Sequence, residues 1–176
     1  GRTMKQLGSD LTGSIRRFIS RKQDPSLTAL ATKLAGECGI ALDLATSRKQ
    51  VIDSALDSEL RVATLDSIAR AGQSTDDALI MKLLKDKEPL IQAAALRHGF
   101  DRNLDGVAEL GYTAIKSGPI AAARSGITGL AQRDPSSLKG LWLSREKSLR
   151  KELWLDAYLA LSTAKDNKIK QLAASF

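Results

Sequence analysis

The apolar residues of this chain recur at a fixed spacing of 31 residues. One series at this spacing comprises Leu34, Leu65, Leu96, Ile127 and Tyr158. A second comprises Leu79, Leu110, Leu141 and Leu172, and a third comprises Val107, Leu138 and Ile169. Three series that share one period indicate a structural unit that is repeated along the chain and presents the same face to each neighbour.

Each period holds two amphipathic segments, which predicts a helix hairpin. Residues 57–87 carry an apolar stripe at helical spacing on each side of Gly72. Gly72 suits the left-handed position that ends a helix. Ser74, Thr75 and Asp76 suit the N-cap of the helix that follows.

The period divides the chain into a capping helix and a series of stacked units. The predicted boundaries are 4–22 for the capping helix and about 24–56, 57–87, 88–118, 119–149 and 150–176 for the units, the first of which is less regular. Because one hairpin cannot cover its own apolar face, the units must stack. We therefore predict an all-α, right-handed superhelix of about four helix hairpins plus the N-terminal helix. We expect it to form one domain that belongs to a longer protein.

Composition supports helices and argues against a membrane protein. The 176 residues are 43% hydrophobic but only 4% aromatic, and the abundance of Ala and Leu favours close-packed helices over sheets. No apolar run approaches the ~18 residues needed to span a bilayer, and no signal peptide is visible. We expect no membrane association.

Residues 86–96, Asp-Lys-Glu-Pro-Leu-Ile-Gln-Ala-Ala-Ala-Leu, resemble the start of a HEAT repeat. In that family an Asp, an acidic residue and Pro precede a β-branched residue, an Arg and an Ala-rich helix, and residues 56–63 are a shorter match. Gln92 stands where the family has Arg, and the unit after Pro119 lacks the acidic pair. From about Asp24 to the end, the chain resembles short bacterial HEAT repeats. The resemblance implies a solenoid and no particular activity.

Residues 150–157, Arg-Lys-Glu-Leu-Trp-Leu-Asp-Ala, are similar to HEAT segments of large planctomycete and verrucomicrobial proteins. There the segments lie between a propeller-type dehydrogenase domain and a c-type cytochrome domain. This narrower resemblance implies a structural linker and a periplasmic location, while the bacterial cytoplasm stays the alternative. The chain has no Cys-x-x-Cys-His haem site, so electron transfer would belong to other domains.

The residues of catalytic or metal chemistry are scarce. His98 is the sole histidine and Cys38 the sole cysteine, so the chain cannot form a two-His metal site or an internal disulfide. We expect His98 to serve packing or a helix end, and Cys38 to be a small buried hydrophobe. Gly126 and Gly129 fit no phosphate-binding pattern and are expected to allow close helix packing. We predict a non-catalytic chain with no cofactor and no metal.

The net charge of +7 is compatible with an acidic partner. Lys85, Lys116 and Lys147 are 31 residues apart, and stacked hairpins would place them in a row at the ends of the second helices. Such a row can follow an acidic partner or a phosphate backbone, although lysines near helix C-termini also simply favour the helix dipole. Trp142 and Arg145 add aromatic and cationic groups of the kind found in nucleic-acid contacts. These five residues are the candidate binding residues.

The leading hypothesis is a protein-interaction or scaffold module of a larger bacterial protein, monomeric or weakly oligomeric. Its second-helix face would contact a partner protein or neighbouring domains. One alternative is a nucleic-acid-binding domain similar to HEAT-like DNA alkylation glycosylases, which group aromatic side chains with a carboxylate; Asp156 beside Trp154 is the candidate pair. In another interpretation, Trp142 and Trp154 fill the junction between the last two units. A linker between dehydrogenase and cytochrome domains is the third hypothesis.

Overall fold

A computed structural model describes residues 4–20, 24–38, 40, 42–71, 76–163 and 170, and its regular elements are helical. The helices are α1 (Met4–Ser20), α2 (Pro25–Glu37), α3 (Leu44–Ile52), α4 (Ser58–Ala71), α5 (Asp77–Leu83), α6 (Pro89–Asp101), α7 (Val107–Ser117), α8 (Ile120–Arg133), α9 (Pro135–Leu143), α10 (Arg145–Ser148) and α11 (Trp154–Ser162). A 3-10 turn, Lys151–Leu153, leads into α11. The all-α prediction is confirmed.

The helices that open successive periods begin 31 residues apart. These elements are α4 at Ser58, α6 at Pro89, α8 at Ile120 and the 3-10 turn at Lys151. Pro89 occupies the first position of α6, where its missing N–H removes no helical hydrogen bond. The spacing of the apolar residues is therefore also the spacing of the helix starts.

The chain folds as two compact units, Gly1–Leu79 and Ile80–Phe176. In the first unit, α2 and α3 begin at well-formed caps. Asp24 accepts hydrogen bonds from the backbone N–H groups of Ser26 and Leu27. Asp43 accepts from the Thr46 hydroxyl and from two backbone N–H groups. The Thr46 hydroxyl and these N–H groups lower the pKa of Asp43, because all of them bind the charged carboxylate.

Charged side chains are buried inside the first unit. Arg61 has no exposed surface, and its Nε donates a hydrogen bond to the Val51 carbonyl at 2.9 Å. Asp76 directly precedes α5, and its buried Oδ1 accepts from Arg48 Nε at 2.7 Å. Since a buried charge is costly unless it is paired or hydrogen-bonded, these contacts tie α4 and Asp76 to α3. The spacing of apolar residues does not predict that Arg61 and Asp76 are buried.

In the second unit, α8 is the central helix and packs against α6, α7, α9 and α11. One continuous apolar cluster fills the space between these helices. Its largest side chains without appreciable exposure are Phe100, Ile115, Ile127, Leu130, Leu138, Leu141 and Leu153. Helices α6 and α11 flank α8, so the first helices of three successive periods lie side by side.

Glycines allow α8 to approach its neighbours closely. A Cβ atom on Gly126 would lie 2.7 Å from the carbonyl oxygen of Gly111 in α7. A Cβ atom on Gly129 would lie 2.0 Å from Cδ2 of the Phe100 ring in α6. Neither distance is sterically allowed, so only glycine fits at these two positions. The expectation that Gly126 and Gly129 permit close helix packing is confirmed.

The expectation for Cys38 is wrong, because its side chain is exposed. The buried face of α2 is formed by Thr28, Ala29, Thr32 and Ala35. Cys38 lies one residue beyond the end of that helix, off the buried face, and its backbone N–H bonds to the Leu34 carbonyl.

Several sequence predictions fall on residues that the structure does not describe. They concern the capping helix beyond Ser20, the turn at Gly72, the caps at Ser74 and Thr75, and the last members of the apolar series, Ile169 and Leu172. The capping helix was expected over 4–22, and its described part runs from Met4 to Ser20.

Gly126→Ala should destabilise the second unit by about 1–3 kcal/mol, since the added methyl group would meet the backbone of α7. The matched control is Gly140→Ala in α9, where an added Cβ meets no atom within 4 Å. That change should stabilise by about 0.5–1 kcal/mol, because Ala favours a helix over Gly. Urea denaturation followed by circular dichroism measures both values. Equal effects at the two positions would contradict the close crossing of α7 and α8.

Candidate functional site

Two of the three lysines in the predicted row line one concavity of the second unit. Lys116 in α7 and Lys147 in α10 surround a depression of about 350 Å³ together with Ser148, Leu149 and Arg150. Lys85 is exposed but does not line it. Lys147 was expected at the end of a second helix, but α9 stops at Leu143 and Lys147 lies in the short helix that follows.

Trp142 and Arg145, which sequence analysis assigns to binding, contact other side chains of the chain itself. The Arg145 guanidinium lies 4.9 Å from the centroid of the Trp142 ring and 5.8 Å from that of Trp154. Trp142 is buried and packs obliquely on Tyr158, with ring centroids 6.2 Å apart. Trp154 Nε1 donates to the Leu149 carbonyl at 3.2 Å. This cluster joins α9 to α11, in agreement with the interpretation that the tryptophans fill the junction between the last two 31-residue repeats.

Two arginines bind carbonyl groups at the ends of helices. Arg150 donates from Nε to the Ile115 carbonyl at 3.1 Å and from Nη2 to the Ala114 carbonyl at 3.3 Å, at the end of α7. Arg133 binds the carbonyls of Phe100 and Asp101 at the end of α6 in the same way. The last carbonyls of a helix lack partners within it and carry partial negative charge. These guanidinium groups therefore stabilise helix ends.

A groove of about 880 Å³ runs between α8 and α11. It is lined by Arg124, Thr128, Ala131, Gln132, Arg133, Pro135, Asp156, Leu159, Ala160 and Thr163. Arg124 Nε and Asp156 Oδ2 form an ion pair across it at 3.1 Å. None of these lining residues is aromatic, and the Trp154 ring lies against Arg145. The geometry therefore does not bring Asp156 and Trp154 together in this groove.

A second, smaller depression of about 290 Å³ lies between α6 and α8. It shares Arg124, Thr128 and Gln132 with the larger groove, so one uneven surface extends across α6, α8 and α11. Arg124 and Thr128 are not among the residues that the sequence predicts for binding. A signal was present: Arg124 and Asp156 are one period plus one residue apart, which places them on adjacent first helices.

Helix α11 exposes three large apolar side chains along one face. Leu155 is 67% exposed, Tyr158 is 38% exposed and Leu159 is 50% exposed. One period earlier, the residue that corresponds to Tyr158 is Ile127, which is 1% exposed. Ile127 lies on α8, which packs against α6, α7, α9 and α11, whereas the described contacts of α11 are with α8, α9 and the 3-10 turn.

The described residues contain no group of three or more His, Cys, Asp or Glu side chains that could hold a metal ion. His98 is buried near the end of α6, with Nδ1 3.9 Å from Asp101 Oδ2. This placement agrees with a role in packing at a helix end. No helix in the described part of the chain is long and apolar enough to cross a membrane.

Comparison with protein-family models, with curated proteins and with solved structures finds no significant match for this chain. The HEAT resemblance and the dehydrogenase–cytochrome origin therefore stay predictions. Two concave surfaces of the second unit, namely the α8–α11 groove and the depression around Lys116 and Lys147, are taken as the candidate sites.

Arg150→Gln should destabilise the second unit by about 1–2 kcal/mol, because two part-buried hydrogen bonds to the end of α7 are lost. Lys151→Gln removes the same charge from the next residue, which is exposed, and should change stability by no more than about 0.5 kcal/mol. Chemical denaturation of both variants measures the difference. Equal, small effects would mean that Arg150 is an ordinary surface cation.

Proposed function

We propose that this chain is a non-catalytic interaction module of a larger bacterial protein, built as a HEAT-like α-solenoid. The observation that carries the proposal is the 31-residue spacing of the helix starts, combined with the side-by-side packing of α6, α8 and α11. Solenoids of this kind present extended concave surfaces for binding, and their function lies in those surfaces.

Several equivalent positions of the first helices have the same environment, which supports a repeated unit; Tyr158 in α11, one period after Ile127, differs because it is 38% exposed. Leu96 in α6 and Ile127 in α8 are one period apart, and both are buried. Arg97, Thr128 and Leu159 are also one period apart, and all three are exposed. The same side of each first helix therefore faces solvent, as a stack of identical hairpins requires.

The α8–α11 groove is the contact surface in this proposal. Its apolar lining includes Ala131, Pro135 and Leu159, while Arg124 and Gln132 supply polar groups. Protein interfaces likewise combine apolar and polar side chains. The proposal thus places the contact on first helices, whereas the sequence alone favours the second-helix face.

A nucleic-acid-binding role receives less support from the same surfaces. Trp142 and Arg145 contact each other, and Arg150 binds backbone carbonyls. These groups are therefore less able to stack on bases or to neutralise phosphates than the sequence suggests.

Deletion of residues 89–119 tests the solenoid. It removes one full period, joins Glu88 to Ile120 and leaves every remaining apolar series in register. Because each unit of a solenoid contacts mainly its neighbours, the shortened chain should keep its mean residue helicity and unfold cooperatively. Deletion of residues 104–119 removes α7 alone and should abolish cooperative thermal unfolding in circular dichroism. Equal damage by both deletions would contradict a repeat architecture.

Photo-crosslinking tests the contact surface. The photoreactive residue p-benzoylphenylalanine is placed at Thr128 in the groove or, as a control, at Thr113 on α7. Both threonines are exposed, and both hydroxyls bond to the carbonyl four residues earlier. In cells of the source organism, irradiation should give a discrete protein adduct from position 128 and none from position 113. Absence of an adduct at 128, or identical adducts at both positions, would contradict the assignment of the groove.

A further inference from the structure

We propose that the depression around Lys116 and Lys147, here called the lysine shelf, binds a short acidic segment of a partner protein. The shelf consists of Lys116, Lys147, Ser148, Leu149 and Arg150. It is separate from the α8–α11 groove, with which it shares no lining residue. The proposed acidic ligand goes beyond the general interaction role and does not require the groove to be occupied.

The positive charge of the chain is concentrated in the unit that carries the shelf. Residues 80–176 contain 16 Lys and Arg against 10 Asp and Glu, a net charge of +6. Residues 1–79 contain 11 against 10, a net charge of +1. A field of one sign around a concave surface raises the local concentration of ligands of opposite charge. The second unit is therefore the part of the chain that attracts an acidic partner.

Within the second unit, three arginine side chains bind other groups of the chain, whereas the two lysines of the shelf are exposed. Arg124 is paired with Asp156, whereas Arg133 and Arg150 bind helix-end carbonyls. Lys116 and Lys147 are exposed, and no carboxylate is among the residues that line the shelf. The two ammonium groups are thus the cations that this depression presents to a ligand.

Two contacts at the shelf favour the binding of an anion. Lys116 Nζ lies 4.5 Å from the centroid of the Tyr112 ring, and such a contact restrains the direction of a flexible lysine side chain. Arg150 binds the carbonyls of Ala114 and Ile115 at the same end of α7. It thereby offsets the partial negative charge of the helix end, which would otherwise repel an incoming carboxylate.

The surroundings of the shelf favour an acidic peptide over a nucleic acid. Glu146 and Glu152 are exposed and are neighbours of the shelf residues in the sequence. Their carboxylates break the continuity of positive charge around the shelf. Lys85, the third lysine of the predicted row, does not line the depression. A phosphate backbone needs a continuous positive groove, whereas one or two carboxylates of a peptide fit between two lysines.

The test compares Lys116→Glu/Lys147→Glu with Lys33→Glu/Lys49→Glu. The control lysines are exposed on α2 and α3, Lys49 is in the last turn of its helix as Lys116 is, and both double variants change the net charge equally. The probes are a fluorescein-labelled peptide of alternating Glu and Gly and a single-stranded oligonucleotide of the same net charge. Fluorescence anisotropy at low salt measures binding. Peptide affinity should fall about tenfold in the shelf variant and by less than about twofold in the control.

Three results would overturn the proposal: no peptide binding by the unmodified chain, equal weakening in both double variants, or a shelf-dependent loss seen with the oligonucleotide and not with the peptide. If charge reversal unfolds the second unit, Lys116→Gln/Lys147→Gln replaces it, and the affinity should then fall about threefold. Failure of the Thr128 crosslink would count against the groove alone. The peptide measurement would stand independently of it.

Discussion

The second unit depends on how closely α8 can approach the helices around it. The backbone of α8 meets the backbone of α7 where Gly126 faces Gly111, and it meets the Phe100 ring where Gly129 faces α6. Because helices with ordinary side chains keep their axes about 8–10 Å apart, this contact needs the absence of side chains at a few positions. Once α8 is held in this way, α6 and α11 can flank it, and the grooves beside α8 follow from their placement.

Helix ends impose the next constraint, since their last carbonyl groups lack partners within the helix. Arg133 and Arg150 add hydrogen bonds to carbonyl groups at the ends of α6 and α7. The Arg145 guanidinium lies near two aromatic rings, 4.9 Å from the centroid of Trp142 and 5.8 Å from that of Trp154. In this unit several arginines therefore hold the fold together, while Lys116 and Lys147 extend to solvent. The difference follows from chemistry: a planar guanidinium can bind two acceptors at once, whereas a lysine ammonium is a strongly hydrated point charge.

The candidate sites were partly predictable. The period placed Lys116 and Lys147 at equivalent positions, and the structure brings both to one depression. The same period also selected Lys85, which does not line it. Helix α9 ends at Leu143 and a separate short helix carries Lys147, so the repeat of residues 119–149 departs from the strict period. Trp142 and Arg145 were selected as binding residues by type, but their contacts with each other decide their environment.

The sequence by itself determined the all-α class, the 31-residue period and the glycines at which helices pack closely. The helical class and the period follow from local spacing, and glycine is the residue type that lets helices approach closely wherever they cross. Tertiary structure alone decided which charges are buried, as with Arg61 and Asp76, and which cations face solvent. It also formed the groove between α8 and α11. Such features depend on contacts between residues 10 to 32 positions apart, whose distance is set by how helices pack and not by the residues between them.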